Sequence, residues 1–469
     1  MDTTVTFSDS QVWTFFIQAA ILCGALLLGN IIRTRVPGIK KLYIPSALLG
    51  GLVVLLLQAI PAVEELVDEY TMQVITYHCL GLGFAAMALK TAKEKKTVST
   101  VKIIESGAIM ASSYLLQAVV GLAISVIAFL LIGSFYAAGL ILPMGFGQST
   151  GSALSWGSKF ETSYGFTGGA SYGLAVATIG FIVGSVIGVI YLNIMHRKGK
   201  VTPRRAAATA DTETVIHVEG EIPNSESVDK LSIQLAFVVA AYFLSYLFMN
   251  LLSMTGVSAI SDLAWGLNFM WALLAGMLIK ILMSGLRKTK LVERHYINNY
   301  LMDRISGFMF DMMIVAGVVA IDFDAIIANW GLLVITCAAG TVISFLYVRL
   351  AARQAYPGYE LEGFLTNFGT VTGTVSTGMI LLREIDPGYT TPAASNIVLQ
   401  NVPSLVMLAP LLLTMSFAAS SLPHTLIMLA VFVVLLLAYN LFLFRRRIFQ
   451  KRFAGKQETP WVDPGAAED

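Results

Sequence analysis

Two short strings of glycine and hydroxyl residues recur in this chain. Phe146-Gly147-Gln148-Ser149-Thr150-Gly151-Ser152 aligns with Phe368-Gly369-Thr370-Val371-Thr372-Gly373-Thr374 at an offset of 222 residues, and Ser155 then meets Thr377. The shared pattern is F-G-x-x-T-G-[S/T]. Glycine lets a backbone turn sharply and approach a ligand closely, and the free amides at a helix start favour an anion. The hydroxyls of Thr150, Ser152, Ser155, Thr372, Thr374 and Thr377, spaced by Gly151 and Gly373, can hold a carboxylate or a dehydrated Na⁺. Small residues also let helices pack closely. Packing alone does not require the same small polar string twice.

Other candidates are polar residues in apolar surroundings. Asp311 lies within Phe308-Met309-Phe310-Asp311-Met312-Met313, where a lone charge inside a membrane marks a functional position by default. It can ligate Na⁺ or carry a proton. Asn396, Gln400 and Asn401 fall within about two helical turns and precede Pro403, which breaks the backbone ladder and can free carbonyls for a cation. Amides also join helices, so packing is the alternative for these three. Lys159 beside Glu161 and Arg383 beside Glu384 occupy matching places after the two strings, where a cation can attract an anion into a low-dielectric cleft. A local ion pair at the membrane interface is the other use of such charges. His78, between Tyr77 and Cys79, fits a hydrogen-bonded helix residue. No Ser/His/Asp spacing, H-E-x-x-H or P-loop is present, which argues against an enzyme. Nothing resembles the filter or charged ring of a channel.

The elements that position these residues are membrane helices. Of 469 residues, 56% are hydrophobic and 13% charged, with a net charge of +2, and the mean hydropathy is +0.74. Soluble proteins carry roughly 25% charged residues, so a soluble protein and a nucleic-acid binder are both excluded. Runs long enough to cross the membrane are expected near 13–31, 43–60, 72–89, 103–132, 171–194, 231–252, 263–282, 301–321, 326–350, 391–417 and 426–444. Lys and Arg cluster after every odd-numbered run, whereas the N-terminus and the short turns around 64–68, 256–262, 322–324 and 420–423 hold none. By the positive-inside rule the N-terminus is then outside and the C-terminus cytoplasmic. Of 31 Lys and Arg, all but Lys159 and Arg383 fall on cytoplasmic loops or nearby helix ends. The cysteines Cys23, Cys79 and Cys337 lie in apolar runs and suggest neither a disulfide framework nor a metal site.

The segments 137–166 and 357–387 hold no clean apolar run, and a full crossing at either would invert the charge alternation after it. Each is expected to dip in and return as a re-entrant hairpin. A second match, Ala47-Leu48-Leu49-Gly50-Gly51-Leu52 with Ala272-Leu273-Leu274-Ala275-Gly276-Met277, recurs at 225 residues. Two matches in the same order indicate a duplication. Five spans separate equivalent positions, so the halves are inverted, as in secondary transporters that bind substrate near the midplane. The expected fold is an all-α polytopic membrane protein of two inverted five-helix repeats, each with a re-entrant hairpin, plus an extra C-terminal helix. Its parts are a first repeat, 1–195, with an extracellular-side hairpin; a charged cytoplasmic linker, 196–230; a second repeat, 231–419, with a cytoplasmic-side hairpin; and a last helix and tail, 420–469.

Tyr43-Ile44-Pro45-Ser46-Ala47 leading into Gly50-Gly51, the string Gly147 to Gly151, Ser158-Lys159, Tyr164-Gly165-Phe166 and Gly369-x-x-x-Gly373 together resemble the bacterial sodium/glutamate symporters. The resemblance implies uptake of glutamate or a related acidic amino acid, Na⁺ as the coupling ion with no other cofactor, and a homodimer in the bacterial inner membrane working by an elevator-like motion. The long linker and the eleventh span exceed the ten-helix core of that family. A Na⁺- or H⁺-coupled carrier of di- or tricarboxylates is the alternative.

Overall fold

The computed structural model describes residues 10–40, 42, 44–90, 99–199, 201, 229–256, 258–291, 294, 296–386 and 390–448. Most of the expected linker, the N-terminal residues 1–9, the tail beyond 448, Tyr43, and the basic residues Lys93, Lys95 and Lys96 lie outside the described residues. The longer helices are α1 (Ser10–Arg35), α2 (Ser46–Leu57), α3 (Glu69–Leu89), α4 (Thr100–Ile132), α5 (Thr150–Tyr164), α6 (Gly169–Arg197), α7 (Lys230–Ser253) and α8 (Ser258–Gly266). They continue as α9 (Asn268–Lys288), α10 (Asn299–Val319), α11 (Trp330–Ala355), α12 (Glu360–Thr372), α13 (Val375–Arg383), α14 (Ala393–Leu399), α15 (Asn401–Ala419) and α16 (Leu422–Leu443). The described residues contain no strand.

Local sequence sets many of the helix ends. The Asp68, Asp229 and Asn298 side chains accept hydrogen bonds from the free first-turn amides of α3, α7 and α10. α4 and α5 stop at Gly133 and Gly165, both in the left-handed conformation that glycine adopts without a steric penalty. Among the described residues, nine helical stretches are long and apolar enough to cross a membrane, with α14 and α15 counted as one. Two of the eleven expected runs fall outside that set. The second forms only the 12-residue α2, about 18 Å long at 1.5 Å per residue, short of a hydrocarbon core of about 30 Å. The eighth, α10, has 21 residues but carries Asp303, Arg304 and Asp311.

By their contacts the helices form two groups. One packs α1, α2, α3, α7, α9 and α10 together; the other packs α4, α5 and α6 with α11 to α16. They meet where α5 lies on α3 and α10, and where α8 touches both α5 and α15. Lipid tails are as apolar as these side chains, so close packing and interhelical hydrogen bonds hold such helices together. The glycines that recur at 225 residues serve this packing. A Cβ on Gly51 of α2 would lie 2.8 Å from the Val318 side chain on α10, and one on Gly276 of α9 would lie 2.8 Å from Ala88 on α3.

Two interruptions break the second group. A π-helical turn, Met144–Gln148, ends at Ser149, where α5 begins. α12 ends at Thr372 and α13 begins after Thr374. α12 and α13 fold back on each other, since a Cβ on Gly369 would lie 2.7 Å from the Cα of Gly378. The caps repeat: Ser149 Oγ accepts from the Ser152 amide at 3.2 Å, and Thr374 Oγ1 from the Thr377 amide at 3.4 Å. These caps are 225 residues apart, like the α2/α9 glycines. The F-G-x-x-T-G strings, aligned at 222, are therefore three residues out of register with the breaks. Thr150-Gly151 opens the arm after its break, whereas Thr372-Gly373 closes the arm before its own.

Candidate functional site: two helix breaks beside a boundary cavity

The two breaks meet at one point on α6. A Cβ on Gly180 would lie 2.7 Å from the Thr372 carbonyl oxygen and 3.0 Å from the Phe146 ring; one turn on, a Cβ on Gly184 would lie 2.9 Å from Thr372 Oγ1. No side chain fits between the breaks at Gly180, so both backbones approach α6 directly. The α4 helix ties both in place. The Tyr114 hydroxyl donates to the Gly147 carbonyl, and Gln117 Nε2 donates to the Val371 carbonyl at 2.9 Å and to Ser344 Oγ at 2.8 Å. These bonds occupy backbone oxygens that a helix break leaves open.

The first break also faces the other helix group. A Cβ on Gly317 of α10 would lie 3.0 Å from Thr150 Cβ, and one on Gly151 would lie 2.8 Å from the Leu80 side chain of α3. Thr150 is fully buried, and its hydroxyl has no hydrogen-bond partner among the described residues. A buried polar atom without a partner is costly, so this hydroxyl is a fitting contact for a bound ion or solute. Ser152 and Thr377 are also buried. Thr372, fully buried, donates back to the Phe368 carbonyl at 2.6 Å.

Beside the first break lies a cavity of about 480 Å³ on the boundary between the groups. Ser155, Ser158, Lys159 and Thr162 of α5 form one wall, Tyr70, Gln73, Tyr77 and His78 of α3 the other, and Trp265 and Gly266 of α8 complete it. Tyr77 fixes that corner by donating to the Trp265 carbonyl at 2.8 Å. His78 has the hydrogen-bonded role expected of it, with Nδ1 2.8 Å from the Tyr242 hydroxyl. Ser155 Oγ donates to the Gly151 carbonyl at 2.9 Å and Thr162 Oγ1 to the Ser158 carbonyl at 2.8 Å, so in a cavity this size Lys159 and the Ser158 hydroxyl are the groups that suit a small anion.

Other expected site residues lie elsewhere. Arg383 is exposed at the far end of α13, and does not reach the Thr372–Thr377 turn as Lys159 reaches its cavity. Asp311 is exposed too. It shares a face of α10 with Asp303, Arg304, Gly307 and Phe308, within electrostatic reach of Arg33 on α1, and apart from the paired breaks. Asn396 and Gln400 are buried, but Asn401 is only half-buried and its amide donates to the Ile397 carbonyl. Sequence reasoning missed Gly180, Tyr114, Gln117 and Gly317. Their residue types recur throughout a membrane bundle, and only the shared approach of distant helices distinguishes them.

Among curated proteins none matches the chain. The sodium/glutamate symporter family matches residues 14–352, a stretch that holds the first break, the cavity and α6 and ends just before α12, which leads to the second break. A bundle of membrane-crossing helices with this match belongs to the sodium/glutamate symporter family, and the protein is a Na⁺-coupled transporter, not an enzyme.

Proposed function

We propose that the protein imports glutamate or a related acidic amino acid together with Na⁺, by an elevator-like movement of one helix group against the other. The observation that carries this is the meeting of both helix breaks on α6, with the first break and Lys159 facing the boundary between the groups. In the proposed cycle Lys159 and the Ser158 hydroxyl draw the anion into the cavity, and Ser155 and Thr162 join by turning their hydroxyls away from the Gly151 and Ser158 carbonyls. Thr150, Gly151 and Ser152, with Thr372, Gly373, Thr374 and Thr377, then hold it at the breaks. The α4–α6 and α11–α16 group carries the load, and α1, α2, α3, α7, α9 and α10 form the frame.

Inverted repeats account for the composition of the groups. The first half contributes α1, α2 and α3 to the frame and the second contributes α7, α9 and α10; each half then gives one interrupted segment to the moving group. The α2–α10 and α9–α3 contacts are reciprocal, as a pseudo-two-fold axis requires. We further propose that both interruptions are re-entrant hairpins, that the N-terminus lies outside and the C-terminus in the cytoplasm, and that the unit is a homodimer in a bacterial inner membrane. Each net positive charge moved inward gains about 2.3 kcal/mol per 100 mV. A glutamate anion therefore needs at least two Na⁺ before the membrane potential favours its uptake.

The test is uptake of labelled glutamate into proteoliposomes. An inward Na⁺ gradient should drive accumulation, unlabelled aspartate or glutamate should compete, and citrate or malate should not. Uptake driven by a pH gradient without Na⁺, or competition by hydroxy acids alone, would overturn the assignment in favour of a carboxylate carrier.

A further inference from the structure

Three buried amide side chains near the second hairpin have oxygens without a hydrogen-bond donor among the described residues: Asn367 Oδ1, Asn396 Oδ1 and Gln400 Oε1. The side chains are 1%, 2% and 0% exposed. Asn367 Nδ2 donates to the Gly363 carbonyl at 2.9 Å and to the Tyr356 hydroxyl at 3.0 Å. A carbonyl can only accept, so the Asn367 nitrogen must face Gly363 and its oxygen must point away. Asn396 Nδ2 lies 3.0 Å from the Tyr359 hydroxyl, and Gln400 Nε2 is 3.9 Å from Met110 Sδ on α4.

The three belong to one packed region. The Tyr356 and Tyr359 rings are 5.3 Å apart, so Asn367 and Asn396 are bonded to neighbouring phenols. A Cβ on Gly378 would meet both the Thr366 carbonyl and Ile397 Cδ1, the residues beside Asn367 and Asn396. Ser106 of α4, 2.7 Å from the Tyr356 hydroxyl, holds the first phenol in place. The backbone stays helical through Gln400, whose amide donates to the Asn396 carbonyl and whose carbonyl accepts from Ser404, but Pro403 offers no amide to the Leu399 carbonyl four residues back.

We propose that Asn367, Asn396 and Gln400 bind a dehydrated monovalent cation, the coupling Na⁺, between α12 and α14. Neutral amide oxygens suit a hard cation, and without a carboxylate they favour a single charge over Ca²⁺ or Mg²⁺. Among the described residues no group of three or more His, Cys, Asp or Glu could hold a metal ion. The site excludes Asp311 and Asn401 and adds Asn367, which lies about one and a half helical turns before Thr372. A cation here pins α12, and with it the second break, against α14. Na⁺ binding thus reaches the substrate-facing turn through one rigid helix arm.

This assignment rests on Na⁺ coupling, and the experiment separates the two. Purified protein is titrated with NaCl against choline chloride at constant ionic strength, without substrate, and followed by thermal unfolding and calorimetry. The wild type should be stabilised by Na⁺, less by Li⁺, and not by K⁺ or Ca²⁺. Asn367→Ala and Gln400→Ala should each raise the half-saturating Na⁺ concentration at least tenfold. Asn367→Asp, which keeps the oxygen and adds a charge, should retain Na⁺ binding and gain a Ca²⁺ response, an effect that a purely structural amide would not give. If the alanine variants fail to fold, the ion response of Asn367→Asp decides alone. A wild type indifferent to Na⁺ would contradict the coupling itself; a responsive wild type with unchanged half-saturation in the variants, or an Asp variant with unaltered ion preference, would overturn only this site.

Discussion

A methyl group added at Gly180 would lie 2.7 Å from the Thr372 carbonyl, and backbone cannot yield as a flexible side chain can. Gly180→Ala should cost about 1–3 kcal/mol, the usual range for overpacking, and lower the uptake rate at least tenfold; thermal melts and proteoliposome assays would check both. At Lys159 the expected effect is on affinity. Lys159→Gln should raise the KM for the anionic substrate roughly five- to tenfold, and added salt should weaken the wild type more than the variant, because screening acts on the charge that has been removed. Asp386, fully buried in the turn after α13, tests pH. Burial pushes its carboxyl upward, but hydrogen bonds from the amides and hydroxyls of Thr390 and Thr391 outweigh that and leave it below the usual carboxylate value. A lowered carboxyl adds stability above its unfolded value and loses it as pH falls through the folded one. Asp386→Asn should flatten the acid limb of the stability curve measured by thermal melts.

At the scale of elements, the last helix is more than an appendage. α16 packs along α4, and the residues after it form a clamp. Arg445 Nη2 lies 2.8 Å from Glu105 Oε1, Lys102 Nζ lies 3.2 Å from Glu105 Oε2, and Lys102 also donates to the Ala355 carbonyl at the end of α11. Glu105 is buried, so removing a partner leaves a charge poorly compensated. Breaking a fully buried pair costs roughly 3–5 kcal/mol; Arg445 is partly exposed and Lys102 remains. Arg445→Ala should therefore destabilise by about 1–3 kcal/mol, and Arg445→Lys should recover part of the lost melting temperature. The same scale explains why the two interrupted regions were legible in composition but the position of each break was not. The small polar strings mark both interrupted regions, yet each break falls where a hydroxyl can cap the next helix, at Ser149 and Thr374. That choice depends on which carbonyls α4 and α6 can approach.

For the whole molecule, relative motion of the two helix groups has a direct test. Gln73 and Ser158 line the same cavity from opposite groups. With Cys23, Cys79 and Cys337 replaced, Gln73→Cys and Ser158→Cys should be bridged by Hg²⁺, uptake should stop, and a thiol reagent should restore it. Full uptake with the bridge intact would show that the cycle does not need the groups to part.

The sequence by itself determined that the chain lives in a bilayer, because its low charge and long apolar runs leave no other solvent for its helices. It also marked the two interrupted regions, Lys159, and the buried Asn396 and Gln400, since polar residues stand out in an apolar chain. Only the tertiary structure decided that the second run is helical over only 12 residues, that Asp311 and Arg383 are exposed, and that Gly180 and Gln117 lie against the breaks while Asn367 is buried beside Tyr356. Hydropathy records how apolar each stretch of the chain is, one position after another. Which carbonyl loses its donor, and which glycine must remain bare, depends on helices from distant parts of the chain arriving at the same few ångströms.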